Sequence, residues 1–177
     1  YNHPEEQSFL TFLIATYFFA LQIYCDFSGY TDMAIGSARV LGHHITENFR
    51  RPYLSLSVGE FWRRWHITLG AWFRNYLYIP LGGNRGGEWM KHRNLMIVFL
   101  VSGLWHGANW TFVIWGFLHG LYMMLEDLTG ITKKKIFANS TLNTWFFRIL
   151  TFHLVLIAWV FFRANKMADV VTFFGKF

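Results

Sequence analysis

From Asn94 to Leu125 the chain runs for 32 residues without one Asp, Glu, Lys or Arg. As a single straight helix this run would measure about 48 Å at ~1.5 Å per residue, against a bilayer hydrocarbon core of about 30 Å. One span would have to tilt steeply, and a break is the easier solution. Gly103, Gly107 and Asn109 cluster around SGLWHGANW. The sequence therefore predicts two shorter helical pieces that meet near His106. Broken helices at membrane depth are tolerated where they face protein or a water-filled cavity.

Two further segments have membrane character. Ser8 to Cys25 is 18 uncharged residues, the lower limit for a spanning helix, with Pro4, Glu5 and Glu6 before it suiting a first turn. A signal-peptide core is disfavoured, because the preceding residues are acidic and no small-residue cleavage site follows. Trp145 to Phe162 is the third segment, with Arg148 near one end, His153 in the middle and Arg163 closing it. The composition agrees. Hydrophobic residues make 54% and charged residues 15% of the 177, where soluble domains average about 25% charged. Aromatic residues at 21% argue against disorder. Cys25 is the only cysteine, so no disulfide scaffold forms within the chain. A net charge of +6 on so apolar a chain points to a membrane rather than to nucleic acid. A chain that opens on Tyr1 reads as a piece of a longer protein or a processed product.

Between the first and second segments lies a basic stretch, Arg39 to Arg93, with nine of the 16 Lys and Arg and only Glu47, Glu60 and Glu88 as acids. By the positive-inside tendency it faces the cytoplasm. The Lys133–Lys135 cluster shares that side only if the chain crosses twice or dips and returns between them. The basic stretch carries its own helix. Ser57 and Glu60 form a capping-box pattern, and Phe61, Trp65, Leu69, Trp72, Phe73 and Tyr76 recur every three or four residues. Arg63, Arg64 and Arg74 fall off that stripe, which predicts an amphipathic helix in the membrane interface. Pro80, Gly82, Gly83, Gly86 and Gly87 end it, and LGGNRGG reads as a turn. There is no internal repeat and no low-complexity segment.

The ionisable residues inside the apolar segments are the candidates for chemistry, because burying them is costly. His106, between Trp105 and Gly107, is the sharpest. It reads either as a general base, kept neutral by burial, or as a structural histidine bonded to a neighbouring helix. His119 reads as a hydrogen-bonding helix partner more readily than as a site residue. His66, in FWRRWHITL, reads as an interfacial histidine among tryptophans, and His153 as structural. Asp26 and Asp32, in YCDFSGYTDMAIG with Gly29 interrupting the helix, read equally as an interfacial cap and turn or as a pore-lining polar site. Among His66, His106, His119 and His153 no spacing fits a zinc site, and no GxSxG motif marks a nucleophile. A base without a nucleophile suits a reaction in which a substrate hydroxyl attacks.

Three blocks, DFSGYTDMAIGSARVLG, ENFRRPYLSLSVGEFWRRWHITLGAWFRNYLYIPLGGNR and GLWHGANWTFVIWGFLHG, together resemble the membrane-bound O-acyltransferases. PLGGNR after YLYI resembles the bacterial branch that contains alginate O-acetyltransferase, and WVFFRA at 159–164 resembles a later family segment. The resemblance covers a core from 26 to 120 within one partial domain, 1–177, that is similar to the C-terminal part of a longer protein. It implies an all-α, polytopic transmembrane fold with interfacial amphipathic helices and a broken or re-entrant helix around the catalytic histidine. It implies catalytic roles for His106 and His66, and substrate contacts from Trp105, His119, Asn109 and Arg64. It implies no bound cofactor or metal. An acyl thioester such as acetyl-CoA would be the donor, an exported polysaccharide or its carrier the acceptor, a periplasmic acetyltransferase a partner, and a bacterial inner membrane the location. Two rivals stand beside this reading: D-alanyl transfer from a carrier-protein thioester, and a transporter without chemistry.

Overall fold

In the computed structural model, which describes residues 7–134, 136–137 and 139–176, seven α-helices follow one another among the described residues. They are α1 (Phe9–Val40), α2 (Val58–Arg64), α3 (Ile67–Phe73), α4 (Gly87–His106), α5 (Trp110–Thr129), α6 (Ser140–Arg163) and α7 (Met167–Phe174). Two of them, α1 and α6, are long and apolar enough to cross a membrane. Pro4, Glu5, Glu6 and Lys135 lie outside the described residues.

The uncharged run folds as α4 and α5, broken at 107–109 as its glycines and asparagine predict. The two helices form an antiparallel hairpin. An added Cβ at Gly103 would fall on the Phe112 carbonyl oxygen, and one at Gly116 on that of Phe99. A Cβ at Gly120 would meet Met96 Sδ at 2.9 Å. Glycine is thus required where the two backbones touch. In a membrane, where lipid is as apolar as leucine, such close packing is a main source of helix association. The elbow is capped locally, by Asn109 Oδ1 accepting from Thr111 N at 3.2 Å. The hairpin returns residues 87 and 129 to the same end, so Lys91, at the end of the basic stretch, and Lys134 lie toward that end.

α1 corrects the expected first segment. It is a 32-residue helix capped by Ser8, and it runs unbroken through Asp26, Gly29 and Asp32. A glycine inside a helix costs only about 1 kcal/mol relative to alanine. Ser28 and Thr31 also turn their hydroxyls back onto the Cys25 and Phe27 carbonyls.

The single amphipathic helix expected from Ser57 onward is also corrected. It is broken at Trp65–His66 into α2 and α3, and a turn of π-helix, Arg74–Tyr78, follows before the turns that contain LGGNRGG. The aromatic stripe divides accordingly: Phe61, Trp65 and Phe73 are buried, whereas Trp72 and Tyr76 are exposed.

α6 supplies the centre of the fold. Its Val155, Leu156, Ala158 and Trp159 pack with Trp115 of α5, Phe61 and Trp65 of the α2 region, and Ala20 of α1. His153 has the structural role expected of it. Its Nδ1 donates to the Ile149 carbonyl at 2.7 Å, which leaves Nε2, 2.7 Å from the Tyr17 hydroxyl, to accept from α1.

Candidate active site

His66 stands at the junction of α2 and α3 with φ 45° and ψ 55°, in the left-handed region. A non-glycine residue there costs on the order of 1–3 kcal/mol and persists only where its surroundings over-determine it. The surroundings come from residues 48–50. Phe49 forms an antiparallel bridge with Trp65. Arg50 N donates to the Arg64 carbonyl at 2.9 Å, and Ile67 N donates to the Asn48 carbonyl at 3.1 Å. The Asn48 side-chain oxygen accepts from Thr68 N at 3.0 Å and from the Thr68 hydroxyl at 2.7 Å. The imidazole of His66 meets Phe27 edge-on at 4.7 Å. Burial pushes its pKa below the usual histidine value, so it is neutral at neutral pH.

His106 is the last residue of α4, at the elbow. Its half-buried ring contacts Trp105 at 4.9 Å, Trp115 at 5.1 Å and Phe162 at 5.1 Å between centroids. Neither ring nitrogen has a hydrogen-bond partner among the described residues, so the lone pair of the neutral ring is uncommitted. Ser102, one turn before His106 on α4, lines the same cavity as His66, which brings the two breaks in the fold to one region.

That cavity has a volume of about 470 Å³. His66, Trp62, Arg63 and Arg74 line one side, and Val98, Phe99 and Ser102 line the other, with Ser102 one turn before His106. A second, polar cavity of about 330 Å³ shares Gly59, Arg63, Tyr78, Leu95 and Met123 with the first and leads on to Lys91 and Asp127. The two form one cleft along the hairpin, running from its charged open end toward His66. A third cavity of about 470 Å³ is lined by Asp32, Arg39, Glu47, Asn48 and Phe49 among others. Asp32 is thus a cavity-lining residue, whereas Asp26 is exposed.

The other predicted residues fall in different places. His119 is fully buried, its Nδ1 accepting from Trp62 Nε1 at 3.2 Å and its Nε2 without a partner among the described residues. Trp105 is 61% exposed beside His106. Asn109 caps α5 and donates to the Asn165 carbonyl at 2.9 Å. Arg64 turns away to Glu60 at 2.5 Å, and the arginines on the cavity are Arg63 and Arg74. The sequence reasoning passed over Trp62, Ser102 and Asn48, none of which carries a charge to single it out. It also passed over Glu126, whose carboxylate accepts from Val58 N at 2.6 Å and Gly59 N at 3.2 Å and so fastens the start of α2 to α5.

The spacing search for metal ligands likewise omitted His92. Its ring, Glu88 and Asp127 offer ligand atoms within 4.8 Å of one another. Lys91 already serves these carboxylates, at 2.5 Å from Asp127 and 3.1 Å from Glu88. The pairing pushes the Lys91 pKa up and the Asp127 pKa down.

Among the described residues, an all-helical fold with two membrane-length helices and an imidazole on a cleft fits a membrane protein with a candidate acid–base site. The model of the membrane-bound O-acyltransferase family, MBOAT, matches residues 1–168, and the chain belongs to that family. It is 50% identical over 149 residues to a probable alginate O-acetylase AlgI of Pseudomonas syringae pv. tomato, covering 84% of this chain and 28% of the relative. It is 45% identical over 172 residues to a peptidoglycan O-acetyltransferase of Helicobacter pylori, covering 97% and 32%. It is 28% identical over 162 residues to a teichoic acid D-alanyltransferase of Bacillus subtilis, covering 86% and 41%. The chain thus spans less than a third of the length of the two acetyl-transferring relatives.

Proposed function

We propose that this chain carries the reacting centre of a membrane O-acyltransferase, with His106 as general base. In this reading an acyl group, acetyl in the first instance, arrives as a thioester such as acetyl-CoA at the open end of the cleft. That end faces the cytoplasm, which is where the basic stretch 39–93 and Lys134 would lie by the positive-inside tendency. His106 takes the proton of an acceptor hydroxyl, the oxygen attacks the thioester carbonyl, and the thiol leaves. The acceptor is an exported polysaccharide or its carrier, with a periplasmic acetyltransferase as partner, in a bacterial inner membrane. His66 polarises the carbonyl or orients the acceptor. Trp105 and Asn109 are assigned to substrate contacts, and the contact expected of Arg64 is assigned to Arg63 and Arg74, which line the cavity. His119, bonded to Trp62 and closed off from the cleft, is assigned to holding the cavity wall.

The observation that carries this reading is geometric: His66 lines the cleft, and His106 stands one helical turn beyond Ser102, which lines the same cleft. Acetyl is favoured over D-alanyl by the greater identity to the acetyl-transferring relatives, 50% and 45% against 28%. A general base contributes about 10²–10⁴-fold to rate. In the full-length protein His106→Ala is expected to lower transfer of labelled acetyl to polysaccharide by that factor while membrane insertion stays normal. Wild-type turnover in that variant refutes the assignment, and transport of donor or glycan without ester formation favours the rival without chemistry.

A further inference from the structure

We infer that Asn48 is a positioning residue that sets the imidazole of His66 by capping α3 in its place. A helix N-terminus leaves backbone N–H groups without intrahelical partners, and the N-cap side chain ordinarily accepts from one of them. The N-cap of α3 is His66, and its side chain makes no such bond. Asn48, nineteen residues before Ile67, does the work instead. Its backbone carbonyl accepts from Ile67 N and its side-chain oxygen from Thr68 N and the Thr68 hydroxyl, at 3.1, 3.0 and 2.7 Å. Two consequences follow from this substitution of roles. The imidazole is released from capping and lines the cavity, edge-on to Phe27. The left-handed backbone of His66 is clamped on its C-terminal side by Asn48 and on its N-terminal side by the Phe49–Trp65 bridge and the Arg50–Arg64 bond. Without the Asn48 side chain Thr68 N seeks another acceptor, the clamp on the C-terminal side of His66 is reduced to the one backbone bond from Ile67, and the ring no longer holds its direction toward the cleft. The effect on turnover rests on the acyl-transfer reading above; the effect on the ring does not.

Two measurements on the full-length protein in membranes separate these. The first is the rate at which diethyl pyrocarbonate modifies His66, read by mass spectrometry of its peptide. Asn48→Ala is expected to change that rate several-fold. Asn48→Asp, which keeps an oxygen for Thr68 and places a favourable negative charge at the helix N-terminus, is expected to restore it. The second is acetyl transfer, in which Asn48→Ala is expected to lower kcat about 10-fold or more with the donor KM little changed, as misplacement of a reacting group does, and Asn48→Asp to recover most of it. If Asn48→Ala fails to accumulate, Asn48→Ser, whose hydroxyl is too short to reach Thr68, is read in the same way. Unchanged modification of His66 in the Ala or Ser variant overturns the inference. Altered modification with unchanged turnover supports it and instead removes His66 from the proposed chemistry.

Discussion

The two histidines of the candidate site each stand at a break between helices, and the breaks are made differently. The one beside His106 is written locally. Gly107 and Asn109 interrupt the helix, Asn109 caps the next one, and glycines on both helices let the hairpin close. The one at His66 is imposed from a distance, by Asn48, Phe49 and Arg50, on a non-glycine residue held in the left-handed region. A break can thus be encoded in the residues that form it or in residues that clamp it, and the second kind holds its residue under strain.

The largest effect that tests this contrast comes from the hairpin. A valine at Gly116 would drive its Cβ into the Phe99 carbonyl, and neither backbone has room to yield. Overpacking of this kind costs about 1–3 kcal/mol, occasionally more, so Gly116→Val is expected to lower the thermal midpoint in detergent sharply or abolish folded material. Gly29→Ala, which meets nothing within 4 Å in the middle of α1, is the control and is expected to leave the midpoint unchanged or raised. A tolerant Gly116 would mean that the hairpin is not held by backbone contact.

An intermediate effect separates the two breaks directly. Valine at His66 must adopt a left-handed backbone, and valine at His106 a right-handed helical one. His66→Val is therefore expected to cost about 1–2 kcal/mol more than His106→Val in thermal or denaturant unfolding. Equal costs would show that the His66 junction is not strained.

The smallest effect is acidic. Burial holds the His66 pKa in the fold below its unfolded value near 6.5. Above about pH 6.5 both states are neutral and the group does not matter to stability. As the pH falls below that value the unfolded chain takes up the proton first, and stability declines until the folded pKa is reached. His66→Gln is expected to flatten the fall in thermal midpoint between pH 7 and 5. An unaltered slope would place the ring in water.

These differences explain what could be read in advance. The hairpin was legible because its run is too long for one span and carries its own breakers at 103, 107 and 109. The third segment was legible from its apolar run and its closing Arg163, although the helix begins earlier than Trp145, at Ser140, where Asn139 caps it. His106 stood out as an ionisable residue where none is cheap. The length of α1 was not legible, because Asp26, Gly29 and Asp32 look like breakers and only their cheap accommodation in one helix shows otherwise. The division of the amphipathic helix was hidden for a different reason. The periodicity of residues 61–76 is continuous, and the interruption is caused by partners some twenty residues earlier. Trp62, Ser102 and Asn48 escaped for the same cause, since their roles exist only once separate elements meet. Arg63 and Arg64 are neighbours in one motif but point in different directions on α2, and it is Arg63 that lines the cavity.

The hairpin and the clamp also differ in what happens when they are pulled. Parting α4 from α5 means separating two main chains already in contact at Gly103 and Gly116, with nothing gained in return. Peeling residues 48–50 from residues 64–68 gives up a few hydrogen bonds but lets a main chain held in the left-handed region recoil. Under load, then, the junction at His66 is the one that yields first, and the hairpin beside His106 keeps its shape.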